Sequence, residues 1–247
     1  MLRLSDDKKY ICFDKEDIKK IKKISGHAFV EIAGLNHFNP KGDAVLGLFG
    51  FYKNDVDKKY LYRGDLAEKI VQKVYSRTTK IQVYDKKSIN YDNFQDNKYF
   101  GGLIDIELPF DKAYVEVKSK SMSAYDSVNN YPPMDEVYQG LLYCVLGHKD
   151  KLIMEWIFFD EKAEQEIFNG MQPSSLKELK KITKEYLVKD YEEDVRNKMK
   201  ETFNYYLNCY KESRVPVNDI SERVLKILGF DVKPNPFGEF SEEDLPF

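Results

Sequence analysis

At 247 residues, with 42 % hydrophobic and 33 % charged residues, the chain is sized for one α/β domain with helical additions around a sizeable core. No apolar run approaches the roughly 18 residues that cross a bilayer, and the opening Met1-Leu2-Arg3-Leu4-Ser5-Asp6-Asp7 is not a signal peptide, so no membrane and a cytoplasmic location are expected. Cys12, Cys144 and Cys209 stand singly, without a Cys-x2-Cys pair or a fourth partner, which argues against an iron–sulfur cluster or zinc site and fits a reducing compartment.

In chain order, residues 1–13 lead into helical stretches that run to about residue 53. Among them Ser25-Gly26-His27 opens an apolar run closing on Gly34-Leu35-Asn36, and Lys19, Lys20, Lys22 and Lys23 precede it as a basic group. Apolar residues at 66, 67, 70, 71 and 74 predict an amphipathic helix, with Glu68 between its apolar and polar flanks. Gly64 would let the start of that helix approach another backbone closely. The Asn- and Asp-rich residues 85–97 read as a loop or a hairpin excursion. Two strands follow, around Leu103-Ile104-Asp105-Ile106 and Ala113-Tyr114-Val115-Glu116-Val117. Side chains alternate along a strand, so Glu116 and Lys118 share one face while Val115 and Val117 enter a core. A hairpin turning at residues 109–112 brings Asp105 beside Glu116; Glu107, on the face of Asp105, reads as solvated edge decoration.

After a loop over residues 121–133, residues 135–146 have helical spacing and place Gln139 and Tyr143 on one face. Residues 151–159 are nearly all apolar, which predicts a central strand. Pro173-Ser174-Ser175 predicts the start of a long helix reaching Glu212, with a serine as N-cap. Val215-Pro216 breaks it, residues 220–228 form a short helix stopped by Gly229, and a flexible tail begins at Pro234.

Two carboxylates and an ammonium that converge on one point have a chemical use. They suit a hard divalent cation such as Mg2+, with Mn2+ able to substitute, set against a phosphodiester. Lys118 could orient or deprotonate a water and oppose developing negative charge, and the neutral amide of Gln139 could hold a water or a phosphate. The plainer alternative is a surface hairpin whose charges face water. His27, His37 and His148 lack metal-ligand spacing.

The order Gly64-x3-Glu68, Gly102-x2-Asp105, Glu116-x-Lys118, Gln139-x3-Tyr143 resembles the PD-(D/E)XK nuclease superfamily over roughly residues 20–160. Within it the phage-type and RecB-like exonucleases, the lambda exonuclease and YqaJ-type group, are most similar. Their opening turn into a helix ending Gly-Leu-Asn resembles residues 24–36. The resemblance implies a restriction-endonuclease-like α/β core, a mixed central sheet flanked by helices, carrying a helical addition at 174–230. A nuclease domain would then span 1–233, with a tail at 234–247. It further implies Glu68, Asp105, Glu116 and the backbone carbonyl of Val117 as ligands to Mg2+. Lys118, Glu116, Asp105 and Gln139 would be the catalytic set. Ser25, His27, Lys120 and Tyr143 would contact DNA, a trimer would be the oligomer, and a bacterial or phage-infected cell the setting. The sequence departs from the family at His27, where relatives often carry a serine, which bears on recognition of a 5′ end. Ile104-Asp105 replaces the Pro-Asp of the superfamily name.

The chain closes on Glu242-Glu243-Asp244-Leu245-Pro246-Phe247, which resembles the tip of bacterial single-stranded DNA-binding proteins. Such a tip places Phe247 in an apolar pocket and its carboxylate on a cation, with the acids steering the encounter. The implied partner is a recombination annealase or host repair protein. Setting aside the four acids of the tail turns the net charge from −3 to +1, compatible with local DNA-binding patches. The tip also raises an alternative from another class: a non-catalytic single-stranded DNA-binding protein built on an OB barrel, with aromatic stacking platforms. The long helical patterns at 14–76 and 135–228 speak against that barrel. The reading carried forward is a Mg2+-dependent deoxyribonuclease, an exonuclease of phage recombination type.

Overall fold

A computed structural model describes residues 2–18, 21–36, 39–53, 57–174 and 179–234. The chain runs β1 (Arg3–Leu4), β2 (Tyr10–Cys12), α1 (Gly26–Ile32), α2 (Lys41–Leu48), α3 (Lys58–Tyr75), β3 (Ile106–Leu108), β4 (Ala113–Ser121), α4 (Tyr125–Asn130), α5 (Met134–Leu146), β5 (Lys151–Phe159), α6 (Glu161–Phe168), β6 (Lys180–Leu187), α7 (Glu192–Glu212), β7 (Arg214–Pro216) and α8 (Glu222–Ile227). It divides into two compact units, Asp55–Asn197 on the one hand and Met1–Asn54 with Lys198–Phe247 on the other. No helix among the described residues is long and apolar enough to cross a membrane.

The Asp55–Asn197 unit is built on a four-stranded mixed sheet in the order β3-β4-β5-β6. β3 and β4 form the expected antiparallel hairpin, with Ile106 opposite Val115 and Leu108 opposite Ala113. β4 and β5 are parallel, Glu116 lying opposite Met154 and Lys118 opposite Trp156. A parallel pair needs a crossover, and α5 supplies it. As expected from its composition, β5 is central and almost wholly buried.

Residue alternation sorts the two faces. Val115, Val117, Ile153, Ile157 and Phe159 form one apolar face, covered by Ala67 and Val71 of α3 and by Ala163 and Ile167 of α6. Asp57 and Asp160 start these two helices by accepting from the backbone N–H groups of Lys59 and Ala163. α5 lies on the opposite face so closely that a Cβ on Gly140 would stand 2.6 Å from Leu152 Cδ1. The helix therefore sits low enough for its polar side chains to reach those of β4.

Several sequence expectations change, the first being the strand expected around Leu103-Ile104-Asp105-Ile106, which begins only at Ile106. The long helix from Ser174 is replaced by β6 and a later helix α7; residues 175–178 are outside the described set. Lys and Glu favour helices in isolation. Here Lys180–Leu187 alternates around buried Ile182 and pairs antiparallel with β5, its Lys and Glu side chains guarding a sheet edge. The loop at 121–133 contains α4 and a 3-10 turn. Glu107 is buried rather than solvated, because Lys149 Nζ donates to it at 2.5 Å and the Tyr84 hydroxyl also donates to it.

In the other unit, the first residues of the chain form β1 and β2, and β7 completes a three-stranded sheet in the order β1-β2-β7. Val215 and Pro216 do end the preceding helix, and they pair with Ile11 and Tyr10 as an edge strand, where proline costs least. Ser25 caps α1, its side chain accepting from Ala28 N at 3.3 Å. Gly34, at φ +69°, turns the chain after it. Gly229, at φ +85°, follows α8 in the same way.

Candidate active site

The β3–β4 ladder stops at the Ile106–Val115 pair, which leaves the N–H of Val117 without a strand partner on that side. Asp105, one residue beyond the ladder, takes it: Asp105 Oδ2 accepts from Val117 N at 2.8 Å. Since Val115 and Val117 enter the core with Ile106 and Leu108, Asp105 and Glu116 fall on the α5 side of the sheet.

There Glu116, 5 % exposed, meets Lys118 and Gln139 in a closed triangle. Lys118 Nζ donates to Glu116 Oε1 at 2.8 Å and to Gln139 Oε1 at 3.1 Å. Gln139 Nε2 donates to the same Glu116 oxygen at 3.1 Å and to the Tyr143 hydroxyl at 3.4 Å. Tyr143, expected to face DNA, is only 4 % exposed. Its ring stacks on Phe94, with centroids 5.6 Å apart, and covers Gly102, where a Cβ would come within 2.4 Å of Tyr143 Cε1. Any side chain at 102 would displace the tyrosine that props Gln139. Tyr143 thus serves the site from behind, as a support.

Glu68 approaches from α3, and its Oε2 accepts from Lys86 Nζ at 3.2 Å. α3 is itself tied to the far half of β4: Arg63 Nη2 donates to the Ser119 carbonyl at 3.2 Å, and Arg63 Nη1 pairs with Glu164. Farther along the same face of β4, Lys120 Nζ donates to Glu136 Oε1 at 2.7 Å, while Trp156 Nε1 donates to Glu136 Oε2, also at 2.7 Å. Glu136, Gln139 and Tyr143 therefore form one polar row on α5, set against the row Lys120, Lys118, Glu116 on β4.

Burial pushes the Asp105 carboxyl well above the usual carboxylate range, and the charges of Glu116 and Glu68 push it further. Glu116 is also raised, by burial first and by Glu68 and Glu136 after it, although Lys118 pulls the other way. Burial works against the Lys118 ammonium, but Glu116 and Asp105 outweigh it and raise its pKa. Lys118 is accordingly a firmly held cation at neutral pH. Lys86 is raised too, burial being outweighed by Glu68 and Asp105.

Among the described residues, no three His, Cys, Asp or Glu side chains are already gathered as a cation cage. The donor chemistry nevertheless fits a hard divalent cation. Asp105, Glu116 and Glu68 offer only oxygen, and their charges oppose one another in a partly buried setting, a repulsion that such a cation relieves.

Ser25 and His27 belong to the other unit. His27 Nε2 stands 3.0 Å from Glu31 Oε1, and both residues line a cavity of about 300 Å3 together with Glu31, Asn39, Asp43 and Arg223. Glu242, Glu243, Asp244, Leu245, Pro246 and Phe247 lie outside the described residues, as do Lys19, Lys20 and His37. Sequence reasoning passed over Lys86, Arg63, Trp156 and Glu136. Glu136 carried a usable signal, standing three residues before Gln139 and so on the same helix face. Lys86 carried none, since a turn has no period.

No family model matches the chain, and no curated protein matches its sequence. Among solved structures, the fold is similar to that of a phage-related exonuclease from Haemophilus somnus 129PT, at a TM-score of 0.54. The match covers 79 % of this chain and 96 % of that one, with 14 % sequence identity. At that identity the likeness is one of fold: a mixed sheet flanked by helices, in a phage-exonuclease-like arrangement.

Proposed function

We propose that the chain is a Mg2+-dependent deoxyribonuclease, a phage-type recombination exonuclease that hydrolyses phosphodiester bonds from DNA ends, with Mn2+ able to replace Mg2+. The observation that carries this reading is the half-buried network of Asp105, Glu116, Lys118 and Gln139 at the end of a hairpin, on a fold similar to a phage-related exonuclease. Glu68, Asp105, Glu116 and the Val117 carbonyl would hold the cation. When bound, it neutralises charge on the scissile phosphate and acidifies a nearby water.

The chain's own residues do the rest. Lys118, protonated, opposes the negative charge that builds on the phosphate and orients the attacking water by hydrogen bond. Gln139 fixes Lys118 and Glu116 relative to each other, and Tyr143 holds Gln139. Lys120, and Ser25 and His27 of the other unit, are assigned to DNA backbone contact. A trimeric assembly is carried over from the resemblance, as is a bacterial or phage-infected cytoplasm. The tip at Glu242 to Phe247 is assigned to docking on an annealase or host repair protein that reads single-strand-binding tips. The alternative of an OB-fold single-strand binder loses its premise, because the sheet described here is an open mixed one and not a closed barrel.

The test is degradation of 5′- and 3′-labelled linear duplex, and of a closed circle, in Mg2+ and in EDTA. Loss of the linear DNA in Mg2+ only, with the circle intact, is the expected result, and the label released first gives the polarity. Tight strand binding without cleavage in any metal would overturn the reading.

A further inference from the structure

Glu136 is absent from the motif that suggested the site, yet it ties two of the site's neighbours together. Trp156 is 0 % exposed, and a buried indole N–H needs an acceptor. Glu136 Oε2 provides it at 2.7 Å. That bond leaves the carboxylate little freedom to swing, and its second oxygen holds Lys120 Nζ at 2.7 Å. The side chains of Lys120 and Glu136 are 22 % and 19 % exposed, and that of Lys118 is 21 %, so both lysines reach the surface. Lys118 and Lys120 point to the same face of β4, two residues and about 6.6 Å apart along the strand. Lys118 is bound to Glu116 and Gln139, whereas Lys120, one step farther along the strand, is bound to Glu136.

We propose that Glu136 is a positioning residue: anchored by Trp156, it holds Lys120 in place for the DNA phosphate next to the one at Lys118. The proposal rests on the nuclease reading above. A lysine already held in its binding rotamer loses less side-chain freedom when DNA arrives than one that wanders in solvent. Glutamine at 136 keeps an oxygen for the indole but turns an amide NH2 toward Lys120, which can only donate. Lys120 is then released while the packing around Trp156 is retained.

The test is Glu136→Gln, assayed for Mg2+-dependent cleavage of linear duplex across a range of salt, beside Lys120→Met and the double variant. The expected result is a rise in KM of about three- to tenfold, from the cost of ordering one long side chain, with kcat nearly kept. Lys120→Met should raise KM as much or more and lower the slope of log affinity against log salt by about 1. The double variant should match Lys120→Met alone, since Glu136 acts through Lys120. Trp156 is the chain's single tryptophan, so its emission is an independent readout. Duplex added in EDTA should change that emission in the unsubstituted protein and not in Lys120→Met. Unchanged KM and salt slope in Glu136→Gln, in a protein that still cleaves, would overturn the positioning role and spare the nuclease reading. Loss of kcat with KM unchanged would also overturn it, pointing to a role at the reacting phosphate. Absence of both cleavage and DNA binding in the unsubstituted protein would overturn the two together.

Discussion

Lys118→Ala should lower Mg2+-dependent cleavage by about 10²- to 10⁴-fold, the range spanned by a positioned acid–base or electrostatic group. The expectation follows from where the ammonium sits. It is the cation that bridges Glu116 and Gln139, and its charge is held firmly by Glu116 and Asp105. Without it, the phosphate loses the charge that opposes its own, and the two side chains that framed the ammonium lose their common partner. DNA affinity should change much less, because most of the contacts that hold the duplex lie elsewhere on its backbone. Single-turnover cleavage, recorded beside duplex binding in EDTA, separates the two effects. Lys118→Arg should not restore the rate, since a planar fork cannot replace a compact ammonium inside a triangle with sides near 3 Å. A variant that cleaves within a few-fold of the unsubstituted protein would remove Lys118 from the mechanism.

The second large effect is expected at Asp105, and it runs in opposite directions for activity and stability. Asp105→Asn should abolish cleavage while making the metal-free protein more stable by on the order of 1 kcal/mol, the size typical when a strained active-site group is relieved. The carboxyl is desolvated and repelled by Glu116 and Glu68, so its pKa in the folded chain lies above its unfolded value. A raised acid binds its proton more tightly when folded. Metal-free stability therefore falls as pH climbs from about 4, the unfolded carboxylate value, through the raised folded one, and it stays lower beyond that. An asparagine oxygen still accepts from Val117 N but carries no charge, so this part of the pH dependence should vanish. Denaturant midpoints of the metal-free protein and of Asp105→Asn, compared at pH 5 and pH 8, measure it. The gap should be wider at pH 8; an Asn variant less stable than the parent at pH 8 would refute the burial argument. The same linkage means that divalent cation binding tightens as pH rises, since binding requires the carboxylates to release their protons.

The parts of this molecule that were legible in the sequence are those with a strong local period. Alternation at Val115, Glu116, Val117 and Lys118 was enough to place the acid and the lysine on one face. A turn after Pro109 was enough to bring Asp105 up beside them. The helix carrying Glu68 and the helix carrying Gln139 followed from apolar spacing. What stayed hidden was decided by neighbours far away in sequence. Lys180–Leu187 is made largely of residues that favour a helix, and it becomes a strand only because the exposed edge of β5 takes it. Glu107 read as a solvated edge acid until Lys149 and Tyr84 met it from two other segments. Tyr143 had helical spacing compatible with either core or site, and the absence of a side chain at Gly102 settled it as a buried prop. The link from Trp156 through Glu136 to Lys120 joins two strands and a helix, and no single segment carries its signature.

The most direct measurement of the central claim is anomalous diffraction from crystals of the protein grown with Mn2+. The expected result is a Mn2+ peak held by the carboxylates of Glu68, Asp105 and Glu116 and the carbonyl of Val117, lost in crystals of Asp105→Asn. A protein that cleaves DNA with Mn2+, yet whose crystals show the metal elsewhere and nothing among these residues, would contradict the account.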